Sequence, residues 1–256
     1  MICRIIKTRE NVTAGVLEET KVVIERSETA RTELLVITCI PGEISTLQNT
    51  EQKEQLYFIL EGKGRIEAVD FSKDVKSGNY IYLPAHLPYK IIVAGEKPLI
   101  CILFNAYLDD GIKSERKPLF VDNIESRRVY DFGSNLTTMI LDRADTEQCE
   151  ATIVSWPPHQ KGAIVAHNDK EQTFYVLSGS GTVMIDNETD IVKPGDVIFV
   201  PFYTPHTTES GEEALTYLCF NTIVTSKKYA SFDEMYHIVI KDRLSRWKEK
   251  DKSVGL

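Results

Sequence analysis

Two short stretches of this sequence carry side chains with coordination chemistry. The first, His167 to Gly181 (HNDKEQTFYVLSGSG), reads as a polar turn, a buried strand over Gln172 to Leu177 and a tight Gly-Ser-Gly turn. The second, Gly195 to Pro201 (GDVIFVP), leads to His206. Together they bring two imidazoles, His167 and His206, and the carboxamide of Gln172 to where they can converge inside a barrel. Imidazole nitrogens suit divalent transition metals, and an amide oxygen can complete such a site. The plainer alternative is a pair of buried histidines hydrogen-bonded inside an apolar barrel. An earlier part of the chain carries the same pieces with neither imidazole.

That earlier part is a copy. PGEISTLQNTEQKEQLYFILEGKG, from Pro41, stands over PHQKGAIVAHNDKEQTFYVLSGSG, from Pro158, 117 positions on. The same offset carries Gln55 to Gln172, Gly62 to Gly179, Gly64 to Gly181, Gly78 to Gly195, Pro84 to Pro201 and Pro88 to Pro205. Phe104-Asn105 matches Phe220-Asn221 at 116, so one residue is lost in a late loop. A tandem duplication of this kind sets the architecture before any single element does.

The elements that must position the histidines are strands. Residues 33–40, 55–60, 79–83 and 98–104 are short, rich in β-branched and aromatic residues and punctuated by Gly, Pro, Asn and Asp. The second copy repeats them at 151–156, 172–177, 196–200 and 215–220. Many short strands with Gly/Pro turns predict an all-β sandwich or barrel. The polar connector 108–118 places a boundary between a domain of residues 1–112 and one of residues 113–256. Residues 1–32 are free to supply edge strands, packing on the other copy. Gly62-Lys-Gly64 and Gly179-Ser-Gly181 lack the third glycine and following helix of a dinucleotide loop and read as hairpin turns.

Residues 231–250 predict a helix. Ser231 and Glu234 suit a capping box. Phe232, Tyr236, Ile240, Leu244 and Trp247 form one apolar stripe, and Lys248 and Lys250 suit the negative end of the dipole. The expected role is to close the open end of a barrel.

Within a strand, successive side chains face opposite ways, so Gln172, Phe174 and Val176 share one face and Thr173, Tyr175 and Leu177 the other. If Gln172 faces inward, Glu171 faces outward. His159 falls in a turn, and His237 lies on the helix and is expected to be solvated. His86 and Tyr203 stand at one duplicated position near the barrel mouths, with Tyr203 the candidate for a substrate contact.

Composition excludes several classes. With 42% hydrophobic residues in 256, the chain can bury a core. A net charge of -8, without a Lys/Arg block, gives no footprint for nucleic acid or an anionic membrane. No run approaches the roughly 18 apolar residues of a membrane span. The five cysteines, Cys3, Cys39, Cys101, Cys149 and Cys219, are odd in number and form no CxxC. Three of them sit in apolar strand-like runs as small hydrophobes. A reducing compartment and a cytoplasmic location are the expectation.

The spacing resembles the cupin superfamily, whose first motif is Gly, five residues, His-x-His, three or four residues, Glu, six residues, Gly. Its second motif is Gly, five residues, Pro-x-Gly, two residues, His. The resemblance covers most of residues 33–222 and implies a bicupin: two tandem jelly-roll barrels with a C-terminal helix. The usual metal ligands of the family are the three His and the Glu. In the second copy those positions are Val165, His167, Gln172 and His206, with Glu171 just before Gln172. In the first they are Gln48, Thr50, Gln55 and Tyr89. The resemblance thus implies one divalent transition metal ion (Mn, Fe, Ni or Zn) held by His167, Gln172 and His206 in the second copy. The first copy is expected to be metal-free, either structural or a pocket lined by amides and a phenol. Tyr203, Phe174 and Val165 are the expected substrate contacts.

Among bicupins the likeness is to ureidoglycine aminohydrolase, which has a degenerate first copy and a Tyr-x-Leu-Ser-Gly-x-Gly run like Tyr175 to Gly181. That family has Glu, His, His and Gln at the four positions, so the architecture carries over and the reaction does not. The sequence therefore leaves two readings. One is a metal-dependent hydrolase, dioxygenase or isomerase acting on a small polar metabolite. The other is a non-catalytic protein that binds a small metabolite or sugar. A homodimer is expected, because jelly-roll sheets have long edges that need covering.

Overall fold

The computed structural model describes residues 4–7, 18–41, 48–49, 52–113, 117–225 and 228–253. The predicted strands are present, and each central one is longer than its apolar run suggested. Lys53–Glu61, Leu99–Tyr107, Lys170–Ser178 and Leu215–Ile223 form the middles of the two large sheets.

These central strands read as unbroken apolar runs because both of their faces are buried. In the first copy Tyr57, Ile59, Ile81 and Leu83 point into one core, inside the first barrel. Leu56, Phe58, Tyr80 and Tyr82 point into another, which also contains Val197, Phe199, Leu218 and Phe220 of the second copy. In the second copy Phe174, Val176, Ile198 and Val200 line a third core, inside the second barrel. Strand alternation thus sends every other residue into a barrel and its neighbours into the interface between barrels. At that interface Phe104 and Phe220, the same position of the two copies, stack with ring centroids 4.8 Å apart and planes 14° from parallel.

Among the described residues, the large sheet of the second copy has the order Arg4–Lys7, Asp196–Val200, Lys170–Ser178, Leu215–Ile223, Cys149–Trp156, Leu136–Leu141, Val129–Asp131. That of the first copy has the order Phe120–Asn123, Asn79–Leu83, Lys53–Glu61, Leu99–Tyr107, Thr32–Cys39, Glu18–Ile24. The copies exchange edge strands. Arg4–Lys7 pairs with Asp196–Val200 of the second copy, and Phe120–Asn123 pairs with Asn79–Leu83 of the first. The N-terminal segment therefore does supply an edge strand to the other copy. A smaller sheet closes each barrel: Glu188–Val192, Gly181–Ile185 and His206–Ser210 in the second, and a four-stranded one in the first.

The two glycine pairs are not the hairpin turns expected: Lys53–Glu61 and Lys63–Ala68, like Lys170–Ser178 and Gly181–Ile185, belong to different sheets, so each pair marks a crossover between sheets, with Gly64 and Gly181 already in the following strand. Gly62 and Gly179 have φ of +84° and +72°. A Cβ on Gly179 would lie 1.9 Å from the Ala214 carbonyl oxygen, so only glycine fits there. Cys39, Cys101, Cys149 and Cys219 are free and buried, and Cys3 lies outside the described residues.

The C-terminal helix runs Phe232–Ser253. Ser231 Oγ accepts from the Glu234 amide at 3.1 Å, and the Glu234 carboxylate accepts from Ala230 N at 2.7 Å, one residue earlier than a capping box requires. Phe232, Met235 and Tyr236 pack on Tyr130, Phe132 and Met139 at the rim of the second barrel. The side chains of Leu244, Trp247, Lys248 and Lys250 lie outside the described residues. No described helix is long and apolar enough to cross a membrane.

Candidate functional site

The loop that carries His167 is zipped to the strand that carries His206. Val165 N donates to His206 O at 3.0 Å, and His206 N donates back to Val165 O at 2.8 Å. Two residues beyond this bridge, His167 comes over His206, with ring centroids 5.4 Å apart. Gln172 sits on the central strand opposite Val200 and Asn221, and it is buried. The three side chains meet in one cavity of about 240 Å³ inside the second barrel. Phe174 and Val165 line it too, together with Trp156 and Tyr217. Phe232 and Met235 of the C-terminal helix, with Phe132, line its mouth, as expected of a helix closing a barrel. Tyr203 is elsewhere: it is 63% exposed, its ring lies beside Phe202, and it does not line the cavity.

Both imidazoles are held neutral. Burial, then the Lys170 ammonium and the His206 ring, pushes His167 down to about 3. Burial also lowers His206, against the opposing hydrogen bond to Thr204. The 3.0 Å contact from His206 Nδ1 to Thr204 O requires the proton on Nδ1, which leaves the Nε2 lone pair free to coordinate. Gln172 donates through Nε2 to Asn221 Oδ1 at 2.9 Å, while its Oε1 is buried with no hydrogen-bond partner. An orphaned carbonyl, on a side chain that lines the same cavity as two neutral imidazoles, is a donor set that fits a divalent cation. No group of three or more His, Cys, Asp or Glu able to hold a metal occurs among the described residues, so any ion here depends on the amide.

A charged cluster forms one wall. Glu150, fully buried, accepts from Arg143 Nε at 2.6 Å and Nη2 at 2.7 Å, from Asn221 Nδ2 at 2.8 Å and from Lys170 Nζ at 3.3 Å. Burial opposes its ionisation, but the Lys170 and Arg143 charges outweigh burial and bring the carboxyl down to about 2. It is an ionised anchor, not a base. Cys219 also lines the cavity; burial pushes its thiol up to about 12, so it is protonated and donates to Asn221 Oδ1 at 3.5 Å.

Sequence reasoning did not find Arg143, Glu150, Lys170 or Asn221. A signal for them was present, because the duplication reaches further back than Glu33. Arg26, Thr29, Glu33 and Lys53 stand 117 positions before Arg143, Thr146, Glu150 and Lys170. Identical residues at duplicated positions, Glu33 with Glu150 and Lys53 with Lys170 inside strands and Arg26 with Arg143 and Thr29 with Thr146 in the turns before them, are that signal.

The alternation inferred for Glu171 is correct: it points away from the cavity, into the interface between the copies. In the first barrel Gln55 and Tyr89 are buried and bonded to each other, Tyr89 donating to Gln55 Oε1 at 3.0 Å. That supports the structural reading of this copy. The Gln48 side chain and Thr50 lie outside the described residues. His86 and Tyr203, at the matching position, both adopt positive φ, +62° and +67°. Of the remaining histidines, His159 lies 3.5 Å from Glu212 and His237 3.4 Å from Asp233, both exposed.

The cupin domain family matches residues 35–105 and again 152–221. The chain is a two-domain cupin. Its fold is shared with the protein Ylba from E. coli at a TM-score of 0.72 and 15% identity, covering 88% of this chain and 92% of that one. A putative glyoxylate induced protein from Pseudomonas aeruginosa gives 0.69 at 17% identity, over 83% of each chain. Oxalate decarboxylase from Bacillus subtilis gives 0.64 at 17%, over 79% of this chain and 71% of that one. An uncharacterized protein of Methanocaldococcus jannaschii is 39% identical over 64 residues, 25% of this bicupin, and the match spans about half (51%) of that relative.

Proposed function

We propose that this bicupin acts on a small polar metabolite in its second barrel, as a metal-dependent enzyme. One observation carries the reading: the buried Gln172 Oε1 has no hydrogen-bond partner, and its side chain lines one cavity with two imidazoles that burial keeps neutral. His167, Gln172 and His206 would hold the ion. When bound, a Mn, Fe, Ni or Zn ion supplies Lewis-acid polarisation of a carbonyl or carboxylate oxygen. The chain's own residues do the rest. Phe174, Val165 and Trp156 give apolar walls, and the Lys170 ammonium offers a carboxylate its remaining donors. Phe232 and Met235 at the mouth restrict water and large substrates. Oxalate decarboxylase, whose fold this chain shares, acts by its name on a small carboxylate, which supports a substrate of that size and charge.

The test is a thermal-shift screen of small organic acids, ureides and sugars, with and without each metal, with hits followed for turnover by mass spectrometry. Metal-dependent turnover that chelation abolishes is the expected result. Hits that keep their affinity in a His167→Ala/His206→Ala variant would move the site out of this cavity.

A second reading, a metabolite-binding protein without turnover, is favoured by the state of Glu150. The carboxylate at the cavity wall is saturated by Arg143, Lys170 and Asn221 and has no capacity left to take a proton from substrate. Ligand stabilisation with no product in the same screen selects this reading. We also infer a homodimer in the cytoplasm. Val22 and Val129, 45% and 54% exposed on the end strands of the two large sheets, support the assembly.

A further inference from the structure

The polar chain behind Gln172 exists in both barrels and has only one possible direction. A carboxylate has no proton to give, so it must be met by an N–H. Asn221 Nδ2 donates to Glu150 at 2.8 Å, and Asn105 Nδ2 donates to Glu33 at 2.6 Å. Each asparagine therefore turns its oxygen the other way, to accept from a glutamine Nε2, at 2.9 Å from Gln172 and 2.7 Å from Gln55. In the second barrel the Cys219 thiol donates to the same oxygen at 3.5 Å, which fixes the amide orientation a second time. Each glutamine must then present its Oε1 at the far end of the chain.

The barrels differ in what meets that oxygen. In the first, the Tyr89 hydroxyl donates to Gln55 Oε1 at 3.0 Å, and the Tyr57 hydroxyl lies 2.5 Å from that of Tyr89. Since the Tyr89 proton is committed to Gln55, Tyr57 is the donor of that second pair. Phe174 and His206 stand at the matching positions of the second copy and bring no hydroxyl. Gln172 Oε1 is left buried without a partner.

We propose that Asn221 and Glu150 are positioning residues: they lock the carboxamide of Gln172, a residue that lines the cavity, with its nitrogen toward Asn221 and its oxygen turned the other way, so that a group bound to that oxygen must be a cation or an N–H or O–H donor. The first barrel is the same device closed by its own phenol. A carboxamide without this backing turns over freely and meets donors and acceptors alike. Turned over in place, Gln172 would set its oxygen against Asn221 Oδ1, acceptor against acceptor. The inference rests on the ligand site proposed for the second barrel but not on the ion being a metal.

The experiment pairs Asn221→Leu with Asn105→Leu, the same change at the duplicated position. Asn221→Ser replaces the first variant if circular dichroism shows that it does not fold. The probe is Co(II) alone, read by visible absorption and calorimetry. Removing a residue that orients a metal ligand typically costs about 10–100-fold in affinity. That loss is expected for Asn221→Leu and not for Asn105→Leu, although both disturb a buried amide. Equal effects of the two variants would overturn the proposal.

A metal-free readout accompanies it. In 15N-labelled protein, with Gln172→Leu giving the assignment, the Gln172 Nε2 proton accepted by Asn221 Oδ1 should lie downfield of an ordinary side-chain amide and exchange slowly with water, and Asn221→Leu should remove both properties. Fast exchange in the wild type would overturn the proposal. If the wild type binds no Co(II), the metal reading fails, and the amide signals still decide the positioning role.

Discussion

Glu54 and Glu171 stand at the same position of the two copies, and each caps a turn of the other copy. Glu171 accepts from Ala30 N at 2.8 Å, Arg31 N at 3.1 Å and Thr32 Oγ1 at 3.0 Å. Glu54 accepts from Glu147 N at 2.8 Å and Gln148 N at 3.0 Å, and from the Tyr82 hydroxyl at 2.7 Å. Ala30 and Arg31 are the counterparts of Glu147 and Gln148, so the clamp is reciprocal about a pseudo-two-fold axis. Deleting either carboxylate strands two backbone donors, each worth about 1–3 kcal/mol when buried and unsatisfied. Glu54→Ala and Glu171→Ala should each lower the free energy of unfolding by about 3 kcal/mol in urea titrations. Mutants within 0.5 kcal/mol of wild type would show that the clamp contributes nothing to joining the barrels.

Acid should act on the second barrel through Glu150. Its folded-state carboxyl titrates near 2, below its ordinary 4.5. A depressed folded value contributes stability that is fully present above about 4.5 and is lost as pH falls toward 2. Unfolding free energy should therefore decline over that window, and Glu150→Gln should flatten its share of the decline. The same variant leaves Arg143 and Lys170 buried without their carboxylate, a loss on the order of 3–5 kcal/mol at neutral pH. A Glu150→Gln protein as stable as wild type at pH 7 would contradict the anchoring role.

Elemental analysis of untagged protein should find about one divalent metal per chain, lost in His206→Ala and in His167→Ala. The companion variant in the first barrel, Tyr89→Phe, should leave the metal in place. It should instead destabilise the fold by about 1–3 kcal/mol, because Gln55 Oε1 loses its donor. Stoichiometric metal in His167→Ala/His206→Ala would refute the assignment.

Light scattering at micromolar concentration should give twice the chain mass, and Val22→Lys or Val129→Lys should shift it toward the monomer by placing a charge on an exposed edge. A monomer mass for the wild type would remove the dimer.

The sequence alone determined the duplication, the strand runs and the difference between the copies, because each of these is a local pattern. The period-two alternation put Gln172 on the barrel face and Glu171 on the other, and backbone geometry enforces that whatever the tertiary context. Tertiary structure decided what those faces meet. Glu171 became an interdomain clamp because residues 30–32 fold back against it from about 140 positions away. Tyr203 went to the surface, in a loop before His206 where its backbone takes positive φ. Gln172 kept a bare oxygen because the direction of its amide is set two side chains away, by the ion pairs of Glu150 with Arg143 and Lys170. Hydrogen-bond direction travels through space from a fixed charge, and no local pattern of residues records it.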